Sequence, residues 1–275
     1  MLKQRIVTAL ILIPIIIWGI FELPTIPGFA LALGLFVALG VMEWTRLIHL
    51  NDTNHRYSYL VVIVALMLST LVLMESSFFF TIFLLVAVIW WTVQLLLLSS
   101  FDGTQTVNPE NRLTDLWSGA VLLVPTWASL VFLHQNEAHG SGLVLFLMFL
   151  IWTADSGAYF VGRKFGRVKL APLISPGKSR EGAYGALAAS TVVAFIGGFW
   201  LELGFIQFIL FILLSLVVVV FSIGGDLMES VFKRRAGVKD SGTLLPGHGG
   251  VLDRIDSLMS ASPIFTLGVW ALGII

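Results

Sequence analysis

Residues 205–228 read FIQFILFILLSLVVVVFSIGGDLM, a run without a Lys, Arg or Glu and with one acid, Asp226, near its end. A segment of this kind is long enough to cross the hydrocarbon of a bilayer, which takes about 20 mainly apolar residues in helical form. Directly after it, residues 229–256 read ESVFKRRAGVKDSGTLLPGHGGVLDRID, and here cations, carboxylates and glycines crowd together. An Asp, Lys or Arg at the centre of a membrane helix costs about 2.5 to 3.5 kcal/mol on insertion scales. Charges retained beside such an apolar run therefore mark the place where chemistry is expected.

Outward from this junction the rest of the chain repeats the first half of the pattern. Of its 275 residues, 57% are hydrophobic and 12% charged, and the mean hydropathy is +0.96, outside the range of soluble domains. Nine segments are apolar enough to span: about 6–21, 28–44, 58–74, 78–98, 116–133, 142–160, 182–203, 205–228 and 258–275. The first follows Lys3 and Arg5 as a signal peptide would, but it runs into Trp18 and Phe21 without a small-x-small cleavage site, so it reads as a retained anchor. With nine spans and a cytoplasmic N-terminus, all 16 Lys and Arg residues fall on the cytoplasmic side, as the positive-inside rule requires. The fold class expected is an all-α polytopic integral membrane protein.

Charge also divides the chain along its length. Residues 1–100 form a transmembrane scaffold of about four spans with little chemistry in it, a surface for packing or dimerisation. Residues 101–115, with Gly103 and Pro109 among polar neighbours, read as a cytoplasmic linker loop. Residues 116–275 supply about five spans and most of the cations, so the active site is expected at the cytoplasmic side of the C-terminal helices. No cysteine is present, which removes disulfides, thiolate catalysis and sulfur ligands and leaves oxygen or imidazole to hold any metal.

Four constellations carry chemistry. Asp226, Glu229 and Ser230, spaced i, i+3, i+4, share a helix face. Asp253 and Asp256, with Arg254 between them, open the last span; if the helix ends meet, Asp226, Asp253 and Asp256 would form an oxygen-rich cage suited to Mg²⁺. The alternative is that these acids cap helices or pair with Lys233, Arg234 and Arg254. Third, the glycines around His248 in Pro246–Gly250 let backbone N–H groups approach an anion, and a helix start follows at once. His248 is placed to donate to a phosphate oxygen or carry a proton, or to serve as a structural hydrogen-bonding group.

The fourth constellation is Ser175–Gly182, where Lys178, Ser179 and Arg180 are arranged to bind a triphosphate or a lipid phosphate. Pro172 breaks the frame of a Walker loop, so the segment is not one. Arg163, Lys164, Arg167 and Lys169 are as well explained by anionic lipid and stay outside the site. Asp155 is an acid inside an apolar helix and a candidate by position, or else the partner of a neighbouring Arg. Cations, metal-holding acids and a glycine turn are the mixture that phosphoryl or nucleotidyl transfer uses.

The region 230–256 resembles the signature of the bacterial phosphatidate cytidylyltransferases, or CDP-diacylglycerol synthases. Ser230, Phe232, Lys233, Arg234, Lys239, Asp240, Gly242, Leu245, Pro246, His248, Gly249, Gly250, Val251, Asp253, Arg254, Ile255 and Asp256 all stand in its register. The segments around Asp155 and Lys178 are similar to that family as well, and the specific likeness covers about residues 150–263. It implies transfer of a cytidylyl group from CTP to phosphatidic acid, giving CDP-diacylglycerol and pyrophosphate, with Mg²⁺ as cofactor and at most a monovalent cation beside it. It further implies a multi-pass homodimer in the bacterial cytoplasmic (inner) membrane, in contact with membrane lipids and not with nucleic acid. On this basis Asp226, Asp253 and Asp256, joined by Asp155 and Glu229, are assigned to metal, with Lys239 and His248 in catalysis. Lys178, Ser179, Arg180, Ser230, Lys233, Arg234, Gly249, Gly250 and Arg254 are assigned to CTP or phosphatidate.

Two rival readings remain open. Transfer to another lipid phosphate, such as a polyprenyl acceptor, differs only in the apolar groove. A transporter would carry its charges near the bilayer midplane on several helices, whereas these cluster at helix ends.

Overall fold

The structure, a computed structural model, describes residues 2–244, 247 and 249–275, with the side chains of residues 2–7, 9 and 109 excepted. Leu245, Pro246 and His248 lie outside the described residues, so the role expected of His248 has no structural counterpart here. Nine long helices follow in order among the described residues: α1 Leu2–Glu22, α2 Ala30–Leu47, α3 Thr53–Met74, α4 Ser77–Leu97, α5 Arg112–His134, α6 Gly140–Phe165, α7 Arg180–Trp200, α8 Phe205–Arg235 and α9 Leu252–Ala271. A helical turn at Thr25–Phe29 leads into α2. Among the described residues seven helical segments are long and apolar enough to cross a membrane; α1 contributes only the shorter Leu10–Glu22, and α9 is not among the seven. Asp253, Arg254 and Asp256 open α9 and lower its apolar content. The protein is thus an all-α, multi-pass membrane protein.

The nine helices occupy the nine apolar stretches, but their ends differ from the sequence reading. Helix α5 begins at Arg112, inside the segment expected to be linker, and α8 continues through the basic triplet to Arg235. Both extensions have the same cause. Arg235 forms an ion pair with Asp115 at 3.0 Å, both side chains well shielded, so the end of α8 and the start of α5 hold each other in helical form. Trp44 of α2 and Tyr59 of α3 donate to the carbonyls of Asp115 and Leu116, fastening the N-terminal helices to the same point.

Helix α5 runs through the middle of the bundle, buried almost continuously from Ser118 to Leu133, while Leu35, Leu68, Val72, Phe78 and Phe79 on α2, α3 and α4 are exposed. In water such a surface would drive aggregation; against lipid chains it is the expected outer face. Where helices meet, small residues allow close approach. A side chain at Gly157 of α6 would strike the Gly185 carbonyl of α7, and one at Gly185 would strike Val161 and the Gly157 carbonyl.

Between α6 and α7 the chain forms a feature that apolar periodicity does not reveal, an antiparallel hairpin of β1 Lys169–Ala171 and β2 Ser175–Ser179. Its base is tied to α7 by Glu181, whose carboxylate accepts from the backbone N–H of Arg167 at 3.0 Å and of Val168 at 3.2 Å. Its turn is tied to α8: Ile174 is buried with Phe101, Leu227 and Val231, and Arg234 Nε donates to the Ile174 carbonyl at 3.3 Å.

Candidate active site

The docked hairpin carries Lys178 over α8, where its ammonium meets Asp226 Oδ2 at 2.7 Å. One turn on, Ser230 donates to Asp226 Oδ1 at 3.5 Å, the contact that the i, i+4 spacing predicts. A cavity of about 330 Å³ opens here among the ends of α6, α8 and α9, lined by Asp155, Asp226, Ser230, Lys233, Arg234, Lys239, Asp240, Asp253, Arg254, Asp256 and Ser257. Residues spread over a hundred positions of sequence therefore face one space.

The acids in it are not alike. Asp253 is saturated: Oδ1 accepts from Lys233 Nζ at 2.7 Å, and Oδ2 accepts from the backbone N–H groups of Ser241 and Gly250 at 2.9 and 2.8 Å and from Ser241 Oγ at 2.8 Å. Gly249 makes this possible, having φ +82° and standing where a Cβ would come within 2.7 Å of Asp253 Oδ2. Glu229, nearly wholly buried, forms an ion pair with Lys233, and its other oxygen has no hydrogen-bond partner among the described residues. By contrast Asp155, Asp226 and Asp256 are near enough to feel one another's charge, with Lys178 as their nearest ammonium. Among the described residues Asp256 accepts only from the adjacent Ser257 N–H, at 2.6 Å, and Asp155 makes no hydrogen bond.

Mutually repelling carboxylates that keep free oxygens fit a hard divalent cation in type and charge. Among the described residues no three acids or histidines stand close enough to enclose an ion as they are. Asp253 does not fit as a direct ligand in this arrangement, because four donors already occupy it. Asp155 and Asp256 keep oxygens without a hydrogen bond among the described residues, and Asp226 has one contact at each oxygen, Lys178 and Ser230.

The remaining assigned residues separate. Lys239 and Arg254 line the cavity, are exposed and form no ion pair with the described residues. Arg234 reaches it but spends two donors on backbone carbonyls, those of Ile174 and Val238. Ser179 caps α7, its Oγ accepting from the Gly182 N–H at 3.1 Å, and faces a second cavity. Arg180 is exposed and lines neither. The second cavity, about 310 Å³, shares Asp155 with the first; Ala154, Ala158, Leu170, Ala183 and Ile223 line it together with Tyr159, Lys178 and Arg163, the last expected from sequence to stay outside the site.

The expectation that the start of α9 offers free N–H groups to phosphate is not met. The N–H of Gly250 goes to Asp253, and those of Val251 and Leu252 go to a residue the sequence reading passed over, Glu43 of α2, at 3.0 and 2.9 Å. Its signal was available, since Glu43 is an acid within the apolar run Gly40–Trp44, and an ionisable group at such a place is a candidate by default.

Comparison with known proteins bears on what this site does. The cytidylyltransferase family matches residues 3–272. A phosphatidate cytidylyltransferase of Pseudomonas aeruginosa is 43% identical over 273 residues, 99% of this chain and 98% of its own length. One from Haemophilus influenzae is 41% identical across 97% of this chain and 98% of its own. One from Staphylococcus epidermidis is 38% identical over 164 residues, 59% of this chain and 63% of its own. With nearly its whole length matched, and with acids and cations gathered in one cavity, the chain belongs to the cytidylyltransferase family and is a nucleotidyltransferase.

Proposed function

We propose that the protein transfers the cytidylyl group of CTP to phosphatidic acid, giving CDP-diacylglycerol and pyrophosphate. The observation that carries this reading is one cavity holding Asp155, Asp226 and Asp256 beside Lys233, Lys239 and Arg254, in a chain similar throughout to two phosphatidate cytidylyltransferases. In the reaction a phosphate oxygen of the lipid attacks the α-phosphorus of CTP, the bond to the bridging oxygen of the β-phosphate breaks, and pyrophosphate leaves with that electron pair. The acceptor is its own nucleophile, so the protein needs no Ser, Cys or His for attack. It must hold two polyanions together and screen their repulsion.

Lys239, Arg254 and Lys178 are the cations placed to do so, Lys178 lining the second cavity and reaching Asp226 of the first. The apolar walls of the second cavity support an acceptor that brings hydrocarbon with it. Asp155, Asp226 and Asp256 would hold Mg²⁺, which when bound neutralises charge on the transferring phosphoryl group. Asp253 instead fixes Lys233 and the glycine loop. We further propose nine spans, a cytoplasmic N-terminus, a homodimer and residence in the bacterial inner membrane, the orientation resting on the one-sided Lys and Arg distribution.

The test is purified protein in nanodiscs with Mg²⁺, labelled CTP and either phosphatidic acid or a polyprenyl phosphate. CDP-diacylglycerol from the first alone is expected. Product only from the polyprenyl phosphate would replace the acceptor, and none from either would remove the reading.

A further inference from the structure

Helix α9 starts at a residue that cannot cap it. Its N-cap is Val251, whose side chain has no acceptor, whereas α7 is capped by its own Ser179 and α3 by Asp52. Free N–H groups at a buried helix start need a partner. Glu43 supplies it from α2, two hundred residues away in sequence: Oε1 accepts from Val251, and Oε2 accepts from Leu252 and stands 3.2 Å from Ser241 Oγ.

Glu43 is 4% exposed and forms no ion pair with any described residue. Its surroundings are shaped around the carboxylate. A Cβ at Gly242 would overlap Glu43 Oε1, and one at Gly250 would fall among both Glu43 oxygens and Ser241 Oγ. Burying an acid is unfavourable unless donors meet it, and among the described residues the groups that meet this one are Ser241, Val251 and Leu252. Ser241 then links it onward, because the same hydroxyl lies 2.8 Å from Asp253 Oδ2. A hydroxyl has one proton to donate, and it goes to the nearer acceptor, Asp253. The line of contact runs from Glu43 through the Val251 and Leu252 N–H groups at the start of α9 to Asp253, and from there to Lys233 in the cavity.

We infer that Glu43 is a positioning residue for nucleotidyl transfer: from the N-terminal half of the chain it clamps the glycine loop and the first turn of α9, and thereby sets Asp253 and Lys233. The inference rests on the proposed reaction only for its activity readout. It is tested on the full-length protein in nanodiscs with Glu43→Leu, Glu43→Gln and Ser241→Ala. Because the chain has no cysteine, Leu244→Cys, at an exposed position in the loop, accepts a single nitroxide whose mobility reports the clamp directly.

Glu43→Leu is expected to lower kcat by about 10- to 100-fold, the range for lost support of a reacting group, with KM for CTP within about threefold of wild type. The nitroxide is expected to become more mobile and the melting temperature to fall by several degrees, because two buried N–H groups lose their acceptor, so kcat is taken per folded molecule. Glu43→Gln, which keeps one acceptor oxygen, falls between. If Glu43→Leu does not fold, Glu43→Gln and Ser241→Ala carry the same ordering. The inference is overturned by unchanged mobility at position 244, or by a kcat loss that only follows the loss of folded protein. Should the wild type make no product with either lipid phosphate, the reaction fails as a reading, and the mobility measurement alone decides the clamp.

Discussion

Two groups of carboxylates lie within one end of this bundle, and they meet the chain very differently. Glu43, outside the cavity lining, and Asp253, on its wall, have well-shielded side chains and between them take up the N–H groups of Ser241, Gly250, Val251 and Leu252. Around the same cavity, Asp155, Asp226 and Asp256 repel one another and meet few donors. A saturated carboxylate has spent its lone pairs on holding backbone in place, whereas an unsaturated one keeps them for a cation or substrate. Residue type alone does not separate the groups. Asp253 and Asp256 are three positions apart on one helix and fall on opposite sides of the division.

The sharpest way to break this comparison is to neutralise one member of each group. Asp256→Asn is expected to cut turnover by about 10²- to 10³-fold, the range for losing a group aimed at developing charge. It should also raise the Mg²⁺ concentration at half-maximal rate. Asp253→Asn should cut turnover as severely, because Lys233, Ser241 and Gly250 lose their shared acceptor, yet leave the Mg²⁺ dependence in place. Rate against Mg²⁺ for the two variants checks this, and equal displacement of both curves would merge the groups.

A smaller effect sharpens the account of the open group. Lys178 holds Asp226 at 2.7 Å, so its ammonium competes with any other cation for those oxygens. A unit charge about 4 Å away, well hydrated, is worth about 1 kcal/mol. Lys178→Gln should therefore lower the Mg²⁺ concentration at half-maximal rate about fivefold even as it weakens substrate binding. A curve shifted to higher Mg²⁺ would mean that Lys178 supports the cation site.

Most of the helical layout was legible because a span of about 20 apolar residues is a strong, one-dimensional signal. What escaped was set by contacts between distant segments. The hairpin at 169–179 has strands too short, in a sequence too charged, to show a period of two. The early start of α5 and late end of α8 depend on the Asp115–Arg235 pair, which no local pattern links. The candidate site was legible as a set of residue types, and the cavity does gather Asp155, Asp226, Asp253, Asp256, Lys233, Lys239 and Arg254. The division of labour within it was not legible, since whether a carboxylate is saturated depends on which backbone N–H groups arrive from elsewhere. Glu43 is the extreme case: residues 1–100 read as scaffold, yet their buried acid Glu43 closes on the start of α9.

The comparison also marks where an acid should matter for stability and little for chemistry. Asp115 belongs with the saturated carboxylates by burial and pairing, but it lies on the far side of α8 from the cavity lining and touches none of the acids there. Removing its charge leaves Arg235 shielded without a partner, a loss that is large for a buried pair in general and damped in a membrane bundle, where released groups find new partners. Asp115→Asn should thus lower the melting temperature by several degrees in nanodiscs while kcat per folded molecule stays within about twofold of wild type. Arg235→Gln in the same background should recover part of the lost stability, because it removes the stranded charge. A drop in kcat as deep as that of Asp253→Asn would instead place the α5–α8 junction within the machinery that positions the loop, and would extend the saturated group across the whole end of the bundle.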